Sequence, residues 1–283
     1  MSSNSNGTTR IAIVTGASSG IGLHTVLGLV RAGMRVVMVG RDRARTEAAR
    51  RFVRAHSDPD GIDIVVADFS RLAEVYRAAD EILSVADRID VLVNNAGLMS
   101  RHYRFSFDGF ELTFAVNHLA PFLLTCLLLD RLKASAPARI INVASEAHRG
   151  HRLNFSDLAR PQDWGTLKAY GRSKLCNILF TRELAMRLDS SGVVATCLHP
   201  GFVATSIGQR GGPTELAWRL MKPFMKRPEE GAKTSLFLAT VSDPQPFHGG
   251  YVVGKTLARA DPAALDGRVA RRLWDESTRL TGL

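Results

Sequence analysis

Alternation of short β-branched runs with amphipathic segments predicts a single-domain α/β fold: one doubly wound parallel sheet of about seven strands, with a small lid insertion near residues 206–230. Three observations carry this expectation. The strand-like runs RIAIVT, MRVVMVG, IDIVVAD, IDVLVNN, ARIINVAS, GVVATCLH and GGYVVG are nearly continuously apolar, as strands covered on both faces must be. Stretches with 3.6-residue apolar spacing lie between most of them and supply the crossover helices. No repeat, low-complexity tract or Pro/Gly/Ser-rich linker divides the 283 residues, so residues 10–283 read as one domain behind a small polar tail, MSSNSNGTT (1–9), expected to be disordered.

Composition narrows the function classes. The chain is 45% hydrophobic and 23% charged, as expected of a soluble globular protein with a large core. Its three cysteines, Cys126, Cys176 and Cys197, show neither paired metal-ligand spacing nor a secretory leader before them, so no metal site and a reduced, cytoplasmic setting are expected. The longest apolar run, Ala120 to Leu129, falls short of the ~20 residues of a bilayer-spanning helix, so no transmembrane segment is expected. A net charge of +10 favours an anionic partner. The densest basic group, Arg41, Arg43, Arg45, Arg50, Arg51 and Arg54, lacks interleaved aromatics, which argues against nucleic acid and leaves a phosphorylated small molecule or an acidic membrane surface.

The first strand runs into TGASSGIG (Thr15 to Gly22) and then into the helical stretch LHTVLGLVRAG. Gly16 permits a tight turn, Gly20 lets the backbone approach a diphosphate, and Gly22 lets helix and strand pack closely, with the helix N-terminus facing the anion. Gly16, Ser18, Ser19, Gly20, Ile21 and Gly22 are therefore candidate dinucleotide contacts. The second strand ends at Gly40, followed by Arg41. Sites for the unphosphorylated dinucleotide commonly place an acid about 20 residues after the glycines, on the ribose 2′-hydroxyl. A guanidinium instead suits a 2′-phosphate, so NADP(H) is favoured over NAD(H). Asp42 is either the ribose ligand or the N-cap of the next helix.

Further along, AYGRSKLCNILF sets Tyr170 and Lys174 one helical turn apart, a phenol beside a cation on one face. Such a charge is expected to lower the phenol pKa toward neutrality, where it can exchange a proton with substrate. Alone, the same spacing also describes an exposed lysine next to a half-buried tyrosine.

Taken in order, TGASSGIG, Asp68, Asn94-Asn95-Ala96-Gly97, Asn117 in FAVNHLAPF, Ser145 in INVAS, Tyr170-x-x-x-Lys174 and Pro200-Gly201 with Thr205 resemble the short-chain dehydrogenases/reductases, over about Arg10 to Leu283. FDGFELTFAVNHLAPFLLT, the Tyr170 helix and the closing RRLWDESTRLTGL look most like the retinol-dehydrogenase-like branch. The resemblance implies a Rossmann-type, NADP(H)-dependent enzyme interconverting an alcohol and a ketone or aldehyde. It implies Tyr170 as acid/base, Lys174 lowering its pKa and holding the nicotinamide ribose, and Ser145 polarising the carbonyl. Asn117 would kink its helix and position Lys174 through a water. Asp68 and Phe69 would meet the adenine, Asn94, Ala96 and Gly97 the adenosine side, and Pro200, Gly201, Val203 and Thr205 the nicotinamide carboxamide. Asp68 is also a natural helix cap. Pairing of two or four copies through the Asn117 and Tyr170 helices is implied as well.

Substrate walls are expected at Leu98 to Phe110, Glu146 to Leu167 and Ser206 to Glu230. The last carries Leu216, Trp218, Leu220, Met221, Phe224 and Met225, readable as a lid over a lipophilic substrate, as ordinary packing, or as a shallow membrane contact. Branch relatives commonly carry an N-terminal hydrophobic anchor, from which the polar tail here departs. Two alternatives stay open. Cys176, two residues after Lys174, resembles a cysteine of the light-dependent protochlorophyllide reductases, which reduce a carbon–carbon double bond. A non-catalytic NADP(H)-binding sensor would use the same fold.

Overall fold

The computed structural model describes residues 9–57, 61–203 and 226–283. All seven expected runs form strands: β1 (Ile11–Thr15), β2 (Arg35–Gly40), β3 (Ile62–Val66), β4 (Val91–Asn94), β5 (Ala138–Val143), β6 (Val193–His199) and β7 (Tyr251–Val253). They pair in parallel in the order β3-β2-β1-β4-β5-β6-β7. An eighth strand, β8 (Thr256–Leu257), adds antiparallel to β7. Two residues are too few to show a period, so only seven strands are visible in the sequence.

Alternation along each strand builds two cores. On one face Ile11, Ile13, Val37, Val39, Val65, Leu92 and Ile140 meet α3 (Leu72–Val85), α4 (Leu112–Ala134) and α5 (Thr166–Arg187). On the other, Ala12, Val14, Val36, Met38, Val91, Val93 and Ile141 meet α1 (Gly20–Arg31), α2 (Arg43–His56) and α6 (Pro228–Thr240). Helices on both faces of a sheet with this order leave a crevice between the carboxyl ends of β1 and β4, where strand order reverses.

Helix α4 is long and apolar enough to cross a membrane by length and composition, beyond what the run Ala120 to Leu129 suggested. Its most apolar window is 78% buried within the fold, the position of a core helix. The closing helix α7 (Gly267–Thr281) lies against α4 and α5, the two helices through which pairing was implied. Trp274 sets its ring 5.0 Å from Phe122 and 5.9 Å from Phe180, and Ser277 Oγ lies 2.9 Å from His118 Nε2.

His118 is completely buried, and loss of solvent drops its pKa to about 3. The folded imidazole thus stays neutral while the unfolded one takes a proton near pH 6.5, so stability falls as pH drops from about 6.5 toward 3. Denaturant titrations between pH 7 and 4 are expected to show proton uptake on unfolding that is smaller by up to one proton in His118→Asn. Equal uptake in the two proteins would contradict this.

The tail at residues 1–8 and lid residues 206–225 lie outside the described residues. Residues 228–230, assigned to the lid from sequence, instead open α6, with Pro228 in the first turn and Glu229 and Glu230 beside the positive helix end.

Candidate active site

The loop after β1 turns through Gly16 (φ 65°) and Gly20 (φ 57°), both in the left-handed region that favours glycine. A Cβ on Gly22 would fall 2.3 Å from the Gly16 carbonyl oxygen, so Gly22 is what lets α1 press onto this loop. Ser19 occupies the N-cap of α1 without a side-chain cap, and the first turn carries no acid. The helix end therefore keeps backbone N–H groups and its positive dipole for an external anion. Thr15 and Asn95 knit the β1 and β4 loops together. Thr15 Oγ1 accepts from the Asn95 and Ala96 amides at 3.0 Å each, and Asn95 Nδ2 donates to Thr15 O at 2.8 Å and Gly16 O at 3.3 Å. Both residues sit inside the sequence motifs but were not singled out. Accounting for every polar group of those motifs would have found them.

At the end of β2, Arg41 is exposed. Asp42 is the N-cap of α2, its Oδ1 accepting from Arg45 N at 2.8 Å, in line with the capping reading of that residue. Asp68 accepts from the Ser70 amide at 3.0 Å and the Ser70 hydroxyl at 2.8 Å; Arg71, not Asp68, is the N-cap of α3. Phe69 turns its side chain into the core. The Asn94 side chain is also buried, donating to Thr125 Oγ1 at 2.9 Å and Asn142 Oδ1 at 2.8 Å, so only the backbone of Asn94 is available to a ligand. After β6, Gly201 (φ 90°) turns the chain and Val203 bridges to Lys226. A Cβ on Gly231 would lie 2.7 Å from Val203 Cγ2 and 3.0 Å from Ile21 Cγ1, which places the Pro200 to Val203 segment beside the first turn of α1. Thr205 lies outside the described residues.

Asn117 sits in a π-helical turn, Ala115–Leu119, the expected distortion of its helix. Its side chain makes a two-way bond with the backbone of Leu98, 2.8 Å in each direction, and donates to Ser173 Oγ at 3.0 Å. Asn117 therefore anchors the loop after β4 and the neighbour of Lys174. Both Asn117 Oδ1 and Lys174 Nζ face Gly97, whose Cβ would lie 3.3 and 3.7 Å from them.

Ser145 ends the β5 run as the N-cap of a short 3₁₀ turn, Glu146–His148. Its hydroxyl accepts from Ala147 N at 3.2 Å and lies close enough to the Tyr170 phenol to lower its pKa. Lys174 is buried and donates to Val143 O at 2.8 Å; burial lowers its pKa to about 8. The expected depression of the Tyr170 pKa is not found. Burial pushes the phenol above its ordinary value, and the Ser145 hydroxyl only partly opposes this. The Lys174 ammonium, 5.5 Å from the centre of the Tyr170 ring, spends a hydrogen bond on Val143 instead. The group presented at neutral pH is thus a protonated phenol, the form that can give a proton away.

Tyr103 stacks on Trp164 with ring centres 5.5 Å apart and approaches Phe105 at 4.9 Å. Trp164 Nε1 donates to the buried Glu111 carboxylate at 3.3 Å. Two of the expected walls, Leu98 to Phe110 and Glu146 to Leu167, are joined by this aromatic pair. Among the described residues no cluster of metal-ligating side chains occurs. Cys176 is fully buried, its thiol pKa raised far by loss of solvent.

A family model described as short chain dehydrogenase matches residues 10–215. Retinol dehydrogenase 12 of Mus musculus is 40% identical over 274 residues, covering 97% of this chain and 87% of the relative. Retinol dehydrogenase 13 of Homo sapiens is 41% identical over 281 residues, covering 97% and 85%. A solved structure from Mycobacterium paratuberculosis, 33% identical, superposes with a TM-score of 0.79 over 96% of this chain and 93% of the other. The Pseudomonas aeruginosa RhlG/NADP active-site complex, 28% identical, gives 0.69 over 87% and 94%. With these likenesses set beside the glycine loop, Ser145, Tyr170 and Lys174, the chain belongs to the short-chain dehydrogenase/reductase family, in its retinol-dehydrogenase-like branch, as an oxidoreductase of the alcohol–carbonyl couple.

Proposed function

We propose that this protein uses NADP(H) to interconvert an alcohol and a ketone or aldehyde of a lipophilic small molecule, with Tyr170 as the acid/base. One observation carries the reading: a protonated Tyr170 phenol stands beside the Ser145 hydroxyl and one helical turn from the buried Lys174, whose ammonium lies 5.5 Å from the ring centre. The bound cofactor supplies or accepts the hydride. Tyr170 gives its proton to the substrate oxygen in reduction and takes the hydroxyl proton in oxidation. Ser145 donates to the same oxygen as charge develops on it. Lys174, tied to Val143 O, keeps a cation 5.5 Å from the centre of the phenol ring and would hold the nicotinamide ribose.

The site residues fit a dinucleotide. The uncapped end of α1 would hold the diphosphate, Asp68 and the backbone at Phe69, Asn94, Ala96 and Gly97 the adenosine, and Pro200 to Val203 the nicotinamide end. Arg41 favours a 2′-phosphate: it is exposed at the end of β2, and Asp42 caps α2. The NADP bound to the Pseudomonas relative supports this choice. Arg41→Ala is expected to raise the KM for NADPH by about tenfold or more, the worth of hydrogen bonds to a charged group, with little change for NADH. Unchanged NADPH affinity would overturn the preference. A lipophilic substrate is supported by the exposed aromatic rings at Tyr103 and Phe105 and by the retinol dehydrogenase names of the relatives. Cofactor-coupled assays on lipophilic aldehydes, ketones and alcohols test it. Cys176 is fully buried and its thiol is a weakened acid, which counts against carbon–carbon double-bond reduction.

A further inference from the structure

Three residues beyond Ser145, a second histidine of the chain is fully buried between two backbone groups that lie far apart in sequence. His148 Nδ1 is 2.7 Å from the Ser145 carbonyl oxygen, and His148 Nε2 is 3.0 Å from the backbone nitrogen of Asp261. These partners dictate the tautomer: a carbonyl can only accept, so Nδ1 carries the hydrogen, and an amide N–H can only donate, so Nε2 is the acceptor. The ring is wedged edge-on to Tyr251, with centres 5.2 Å apart.

Further bonds fasten the same stretch to the same C-terminal segment. Gly150 N donates to Asp261 Oδ2 at 3.0 Å, Arg152 to Asp261 Oδ1 at 3.2 Å, and Arg149 to Arg259 O at 2.9 Å. Tyr251 donates its hydroxyl hydrogen to Glu146 Oε1 at 2.6 Å. Most of these are exposed or half-exposed and individually weak. His148 alone among the residues of this 3₁₀ turn is buried, and its ring holds Ser145 itself. The side chain of Ser145 is aimed by its backbone, which lies two residues beyond the last β5–β6 pair, Val143 with Leu198. The Ser145 carbonyl also accepts from the His148 backbone N–H at 3.2 Å, and the Ser145 hydroxyl from Ala147 N at 3.2 Å. Both are longer than the 2.7 Å imidazole bond, whose loss would let this peptide turn the hydroxyl away from the phenol.

We propose that His148 is a positioning residue for Ser145: its imidazole ties the Ser145 carbonyl to the C-terminal segment at Asp261 and thereby keeps the Ser145 hydroxyl beside the Tyr170 phenol. This rests on Ser145 acting on the substrate oxygen, as proposed above. It makes residues 259–261, more than a hundred positions from Ser145, part of the catalytic scaffold.

The test is a double-mutant cycle in the full-length protein with NADPH and a carbonyl substrate. His148→Phe fills the space without either hydrogen bond and is expected to lower kcat by about 10- to 100-fold, the cost of a misplaced catalytic group. Affinity for NADPH should stay within about twofold, since no dinucleotide contact is touched. His148→Asn, which keeps a donor toward Ser145, should recover most of the loss. In a Ser145→Ala background the His148→Phe effect should shrink to less than about twofold, because the group it positions is gone. An equal loss in both backgrounds would overturn the proposal and leave His148 a core residue. Nitrogen NMR of the wild-type imidazole gives a reading that does not depend on variant folding: an Nδ1–H tautomer supports the clamp and an Nε2–H tautomer refutes it. A wild type without turnover would remove the functional reading and this proposal together, whereas an active wild type sensitive to Ser145→Ala with additive His148 effects would remove this one alone.

Discussion

Tyr170→Phe is expected to lower kcat by about 10²- to 10⁴-fold, the range general acid–base catalysis supplies, while the protein folds and binds NADP(H). The substitution removes one oxygen from a half-buried ring and leaves every helical hydrogen bond of α5 in place. Affinity for the cofactor should move by less than about tenfold, since at most one hydrogen bond to it is lost. What disappears is the acid. Burial keeps the phenol protonated at neutral pH, and the neighbouring groups cannot take over its role. Lys174 is bonded to Val143 O, and a serine hydroxyl is far too weak an acid to replace a phenol. Parallel measurements of nicotinamide absorbance during turnover and of cofactor binding by fluorescence separate the two effects. If the Tyr170→Phe enzyme retained a tenth or more of wild-type kcat, the assigned proton path would be refuted. A variant that also failed to bind cofactor would instead place Tyr170 chiefly in the binding site.

The fold was legible because parallel strands buried on both faces must be nearly continuously apolar, as Ile11 to Thr15 and Val193 to His199 are. The role of Asp42 was legible for a local reason, since a cap needs only the next three residues. What escaped the sequence depends on distant partners. The pKa of Tyr170 is governed by the burial of the assembled site and by where the Lys174 ammonium goes, and the answer, Val143 O, lies 31 residues away. The Phe69 side chain looked available at a strand end, yet it turns inward onto the core, whereas the backbone role implied for Asn94 is left open by a side chain bonded to Thr125 and Asn142. The helix cap expected of Asp68 is supplied from 36 residues away, by Asp108 Oδ2 accepting from Leu72 N at 2.9 Å. His148 carried no signal at all, because its meaning comes from Asp261, 113 positions on.

Gly22→Ala is expected to weaken NADPH binding by about 10- to 100-fold and to cost about 1–3 kcal/mol of stability, the usual penalty of overpacking. The added methyl group would sit 2.3 Å from Gly16 O, 2.9 Å from Gly16 C and 2.6 Å from Asn95 Nδ2, all well inside van der Waals contact. No flexible side-chain tip is available to yield. Gly16 is pinned by its positive φ, by Ala96 Cα at 2.9 Å from its own Cβ position, and by the Asn95 amide. Asn95 is in turn held by Thr15. The displacement must therefore be taken up between the first turn of α1 and the loop after β1, the two surfaces that would cradle the diphosphate. Gly267→Ala is the matched control: its Cβ would meet nothing within 4 Å, and alanine favours a helix start over glycine. Thermal melts and calorimetric titration with NADPH should show the control at or above wild-type stability with unchanged affinity. If Gly22→Ala behaved like that control, the close approach of α1 to the loop would not be what shapes the site, and the diphosphate would have to be placed elsewhere on the carboxyl edge of the sheet.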